Sequence, residues 1–124
     1  VRRQRQMCIR DSTGIMVSNH GGRQLDGSRS PFDQLAEIVD AVGDKIDVIC
    51  EGGFQRGTHM LKALSLGAKA CAGGRLYLYA LAAAGQPGVE RALGQYKAEL
   101  ERDMKLMGCT KISELNRTNL RFRS

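Results

Sequence analysis

Three short apolar runs, at residues 14–18, 46–50 and 68–72, each lead into a glycine pair: Gly21-Gly22, Gly52-Gly53 and Gly73-Gly74. A helical pattern follows each pair, so strand, glycine-rich loop and helix recur in series. Helices of this length between strands serve as crossovers, and crossovers set consecutive strands parallel. The runs are continuous rather than alternating, as strands buried on both faces should be. The fold class this implies is α/β with a parallel sheet.

The helical segments carry their own punctuation. Ser30 stands as an N-cap before Pro31 at the first helical position, and Asp33 completes an approximate capping box. Behind it Phe32, Leu35, Val39 and Val42 keep helical spacing until Gly43. A second helix starts at about Thr58, its N-cap, and sets Met60, Leu61 and Leu64 on one side before Gly67. Gly85-Gln86-Pro87 breaks an alanine-rich segment, and a last helix presents Val89, Leu93, Tyr96, Leu100, Met104 and Met107 until Gly108. Three such units close nothing: a three-stranded parallel sheet leaves its edges or its inner face open. The chain therefore reads as the C-terminal part of a larger α/β enzyme.

Composition narrows the class of function. The chain has 124 residues and a formal charge of +6, all of it at the two ends. Arg2, Arg3, Arg5 and Arg10 outweigh Asp11 at one end, and Lys111, Arg117, Arg121 and Arg123 outweigh Glu114 at the other, while residues 13–110 are neutral. Without Trp, and with three Tyr and three Phe, the sequence lacks the basic, aromatic-laced surface of a nucleic-acid module. No apolar run is long enough for a membrane span, and the opening residues do not form a secretory signal peptide. Cys8, Cys50, Cys71 and Cys109 are far apart, with no CxxC pair, which indicates neither a zinc site nor a disulfide framework. A cytoplasmic location is expected, with peripheral attachment of the parent enzyme to a membrane left open.

Each strand end offers polar groups. The first supplies His20, a candidate base, and Arg23, a candidate carboxylate clamp. The second supplies Gly52, Gly53, Gln55 and Arg56, and the third supplies Gly73, Gly74 and Arg75, whose backbone N–H groups and guanidinium suit a phosphate. A lone histidine or a single glycine pair is commonplace, and His59 reads as exposed or locally hydrogen-bonded. Recurrence at three successive strand ends is less ordinary, because independent turns have no reason to share one rim. In a (β/α)8 barrel the loops after the last two strands hold phosphate in this way.

The strings Ser18-Asn19-His20-Gly21-Gly22-Arg23-Gln24-Leu25-Asp26 and Glu51-Gly52-Gly53-Phe54-Gln55-Arg56-Gly57-Thr58 closely resemble the FMN-dependent α-hydroxy-acid dehydrogenases and oxidases. Residues 62–68 and Gly74-Arg75 extend the resemblance, which covers about residues 13–120. It implies a (β/α)8 barrel of which residues 13–124 form units six to eight and a C-terminal helix. It also implies FMN as cofactor, a small L-2-hydroxy acid as substrate and a 2-oxo acid as product. His20 would be the base, removing either the hydroxyl proton or the α-proton, and Arg23 would bind the substrate carboxylate. Glu51, Gly52, Gly53, Gln55, Arg56, Gly74 and Arg75 would lie at the cofactor, with Gly53, Gly74 and Arg75 on its phosphate. The electron acceptor is left open among oxygen, a quinone and a cytochrome, and self-association could cover exposed edges.

The chain departs from the family pattern at two positions, with Glu51 where Asp is usual and Gln55 where Arg is usual. The second change removes a charged bidentate donor, so weaker phosphate binding is expected unless Arg56 or Arg75 compensates. Residues 1–12 do not follow the pattern and are expected to be a non-native or disordered leader. The family's flavin-contacting lysine, the aspartate partnering the histidine and the substrate-binding tyrosines fall upstream of Val1, so the isolated polypeptide is expected to be inactive. Two other readings stay open: a fragment of another phosphate-binding barrel such as an isomerase or aldolase, and a non-catalytic, self-associating half-barrel.

Overall fold

A computed structural model describes residues 12–122. The leader expected at residues 1–12 falls almost wholly outside them. Three parallel strands, β1 (Gly14–Val17), β2 (Asp47–Glu51) and β3 (Ala70–Ala72), form one sheet in the order β1-β2-β3. Val17 pairs with Cys50 and Cys50 with Cys71, so the three strands end at nearly the same level. The connections are helices α1 (Pro31–Val42) and α2 (Gly57–Ser65), and α3 (Arg75–Leu106) follows β3.

The helix boundaries follow the local chemistry. Ser30 caps α1 by accepting from the Asp33 N–H at 3.2 Å, and its hydroxyl donates back to the Asp33 carboxylate at 2.8 Å. Gly43 closes α1 with its N–H on the Val39 carbonyl, also at 2.8 Å. The backbone of α3 leaves helical geometry at Ala84 and Gly85, so the interruption expected before Pro87 is a break between two helical halves.

One face of the sheet is packed and the other open. Val48 and Cys50 are buried with Leu35, Val42, Ile46, Phe54, Ala63, Leu66 and Ala68 beneath the helices. On the opposite face Met16, paired in register with Ile49, is 56% exposed. The expectation of strands buried on both faces is therefore met on one face only, since no described element covers the other.

Helix α3 packs on α2 through a small second core of Leu61, Met104 and Leu115. Here two sequence expectations change. Leu93 and Met107 are exposed, and the buried positions of α3 are Glu99 and Met104, because α2 contacts only a narrow stripe of the longer helix. The α2 N-cap is Arg56 rather than Thr58, with no capping bond from its own side chain. Glu99 does the capping from α3: its Oε2 accepts the Gly57 N–H at 2.8 Å. Arg56 adds a fork to the same carboxylate, Nε at 3.0 Å and Nη2 at 2.9 Å from Oε1. Thr58 donates to Asp103 at 2.5 Å.

Candidate active site

The loop after β1 is a tight turn, with His20–Gly22 forming a single 3-10 turn. Asn19 shapes it: its side-chain oxygen accepts the Gly21 N–H and its carbonyl accepts the Gly22 N–H, both at 3.0 Å. These bonds hold His20 at φ 54°, the one positive φ outside glycine among the described residues. Such a conformation costs on the order of 1–3 kcal/mol and persists where its surroundings impose it. The His20 N–H donates to the Ser18 hydroxyl at 3.0 Å, and that hydroxyl donates to the Glu51 carboxylate. His20 Nδ1 is paired with the Gln24 side-chain oxygen. An oxygen acceptor there places the ring proton on Nδ1 and leaves the Nε2 lone pair available to accept a proton.

The other two strand ends close on this loop. Arg75, the first residue of α3, reaches back so that its Nη2 donates to the Gly21 carbonyl at 3.4 Å. Gly21, at φ 66°, leaves room for that guanidinium, since a Cβ there would run into it. Gly52, at φ 117°, is pressed between Pro31 and Asn19, where an added Cβ would lie 3.2 Å from Pro31 Cγ. An added Cβ on Gly74 would lie 3.6 Å from Glu51 Oε1. Turns distant in sequence thus meet on one rim because the parallel strands end in register.

A cleft of about 510 Å³ opens beside the rim, lined by Asn19, Gly21, Gly52, Gly53, His59, Lys62 and Arg75 together with Ser30, Pro31, Phe32 and Phe54. No carboxylate among the described residues lines it. Of the expected site residues, Gly52, Gly53 and Arg75 line this cleft, while His20, Glu51 and Gly74 belong to the adjoining hydrogen-bonded rim. Arg23 and Gln55 are exposed and do not line it. Arg56 does not join them: its guanidinium is committed to Glu99, because that carboxylate is buried at the α2–α3 contact and needs a cation. The compensation for Gln55 expected of Arg56 is therefore unsupported. His59, set aside on sequence, does line the cleft, as does Lys62 one turn further along α2; their i, i+3 spacing behind a glycine pair was the available signal. Asn19 and Gln24, which shape and orient the His20 loop, had no spacing signal of their own.

Glycine turns and cations gathered at the carboxyl ends of parallel strands, with no acid in the cleft, mark the anion-binding end of a partial β/α barrel. Residues 5–122 match the model of the FMN-dependent dehydrogenase family, and the chain belongs to that family. It is 46% identical over 116 residues to the L-lactate dehydrogenase (cytochrome) of Wickerhamomyces anomalus, covering 90% of this chain and 20% of the relative. It is likewise 46% identical over 108 residues to a peroxisomal (S)-2-hydroxyacid oxidase of Arabidopsis thaliana, covering 87% of this chain and 30% of that one. The structure of a soluble variant of the membrane-associated (S)-mandelate dehydrogenase from Pseudomonas putida superposes with a TM-score of 0.90 at 40% identity. That match covers 98% of this chain and 34% of the other. The chain thus spans between a fifth and a third of these relatives. The comparison corrects the expected cytoplasmic location, because one of these relatives is peroxisomal and another membrane-associated. Absence of a long apolar segment does not report compartment, since a receptor-read address leaves no mark on composition.

Proposed function

We propose that this chain forms units six to eight of a (β/α)8 barrel that uses FMN to oxidise an L-2-hydroxy acid to a 2-oxo acid. The observation that carries the reading is the junction of His20's loop with Arg75 through the Gly21 carbonyl, which sets a base beside an anion site. The cleft suits the cofactor's phosphate: it is free of carboxylates, cationic at Lys62 and Arg75, and lined by Gly53, where an added Cβ would meet nothing within 4 Å. Relatives that oxidise lactate and mandelate, both 2-hydroxy acids, support the substrate class.

In this reading Gly53, Gly74 and Arg75 would hold the phosphate, while Glu51 and Gly52 shape the rim of the cleft. When bound, FMN supplies the acceptor for the two electrons and the hydrogen that the hydroxy acid loses. Arg23 pairs with the substrate carboxylate, which fixes the α-carbon relative to His20. His20 accepts the substrate's proton at Nε2, and Gln24 on Nδ1 keeps the ring in that tautomer. Arg56 drops out of the cofactor set because Glu99 holds it. Dehydrogenase or oxidase character depends on what takes electrons from the reduced flavin, and oxygen, a quinone or a cytochrome would each fit the relatives' chemistry.

The test is a complete barrel in which residues 12–122 replace the matching segment of the W. anomalus enzyme. It should bind FMN and bleach the flavin on addition of L-lactate. His20→Asn should retain FMN and slow bleaching by about 10²–10⁴-fold, the usual worth of a general base. Unchanged bleaching in His20→Asn would remove His20 from the reaction, and a folded barrel without FMN would remove the cofactor assignment.

A further inference from the structure

The cleft's wall includes two residues to which the reading above assigns no ligand contact. His59 and Lys62, three apart on α2, line it together with Gly53 and Arg75. Two donors near the start of α2 are already engaged, since Glu99 accepts both the Gly57 N–H and the Arg56 guanidinium. The Gly57 N–H and the Arg56 guanidinium are therefore committed away from the cleft, and Gln55 carries no charge. His59 is oriented by a local contact: its Nδ1 accepts the Gln55 backbone N–H at 3.4 Å. With Nδ1 accepting, the neutral ring's proton sits on Nε2, which makes His59 a donor at its other nitrogen. The Lys62 ammonium makes no hydrogen bond or ion pair among the described residues.

We propose that His59 and Lys62 are phosphate-binding residues of this chain, supplying from α2 the donor and the charge that Gln55 does not provide. The inference rests on the proposed FMN site and names which residues complete it. Arg75 would contribute from the start of α3 and the His59–Lys62 pair from α2, all three lining the same cleft. His59 acts here as an Nε2–H donor and Lys62 as a point charge; neither takes part in the chemical step.

The experiment compares FMN with riboflavin, which lacks the phosphate, by flavin fluorescence titration of the 124-residue chain, with inorganic phosphate as competitor. FMN should bind more tightly than riboflavin, and phosphate should compete with FMN alone. His59→Phe keeps a ring but removes both nitrogens, and Lys62→Met keeps the stem but removes the charge. Each should lower FMN affinity by about tenfold, the lower end for a hydrogen bond to a charged group, and leave riboflavin unchanged. Lys69→Met, an exposed site outside the cleft, removes the same net charge and should change nothing. Circular dichroism checks that each variant folds; Lys62 is exposed, so its variant decides the matter if His59→Phe does not fold. A preference for FMN that survives both substitutions would overturn the role of His59 and Lys62 while leaving the FMN site standing. No preference for FMN in the unsubstituted chain would overturn both together.

Discussion

Replacing Gly57 by alanine tests the contact that seats α2 on α3. An alanine Cβ at this position would stand 2.6 Å from Glu99 Cβ, 2.6 Å from the Tyr96 carbonyl oxygen and 2.7 Å from the Leu100 nitrogen. Ordinary carbon contacts lie at about 3.5–4.0 Å, so relief requires the helices to part by roughly 1 Å. Two of the three atoms are backbone, which cannot rotate away as a side-chain tip can. Separation would stretch the Gly57–Glu99 bond and loosen the Leu61, Met104 and Leu115 cluster. Alanine's helix propensity favours the variant by about 0.5–1 kcal/mol, whereas overpacking of this kind costs about 1–3 kcal/mol and the weakened buried bond about another 1 kcal/mol. The clash wins, with a net loss of about 1–3.5 kcal/mol and a fall in melting temperature of roughly 5–15 °C. Thermal unfolding followed by circular dichroism measures it. Gly94→Ala is the control, since nothing lies within 4 Å of a Cβ there, and it should be neutral or slightly stabilising. If Gly57→Ala melts with Gly94→Ala, the close approach of the helices is wrong.

Two further predictions concern buried groups. The Arg56 guanidinium, helped by the Gly57 N–H, holds the Glu99 carboxyl down at about 2 from its ordinary 4.5. Its contribution to stability is therefore full above about pH 4.5 and lost as the pH falls toward 2. Acid unfolding of Glu99→Gln should lack that limb, and matching acid profiles for the two proteins would refute the coupling. Burial pushes the Cys50 and Cys71 thiols up to about 11 and about 12, so both should resist alkylation at pH 8 in the folded chain and react after unfolding. Peptide mass spectrometry reads this directly, and rapid modification of Cys50 in the native chain would contradict its burial.

The outline of the fold was legible because its signals are local. Ser30-Pro31 and Gly43 bound α1 through bonds made within a few residues, and the glycine pairs marked where strands turn. The convergence of the three loops was also foreseeable, given that parallel strands joined by crossovers carry their C-terminal ends to one side. Arg56 shows where that reasoning stops. In sequence it is one more cation beside a glycine loop, and only the return of α3 forty-three positions later brings the Glu99 carboxylate to it. His59 and Lys62 were hidden for the converse reason: helical spacing puts them on one side of α2, but that side faces a cleft only because Pro31, Gly52 and Arg75 arrive there from three other segments.

The sequence by itself determined the parallel β/α order, the ends of α1 and the family, since hydrogen bonds within a turn and contiguous motifs need no distant partner. The tertiary structure alone decided which cations remain available. A guanidinium or an imidazole is defined chemically by its neighbours in space, and those neighbours are set by how α2 and α3 pack.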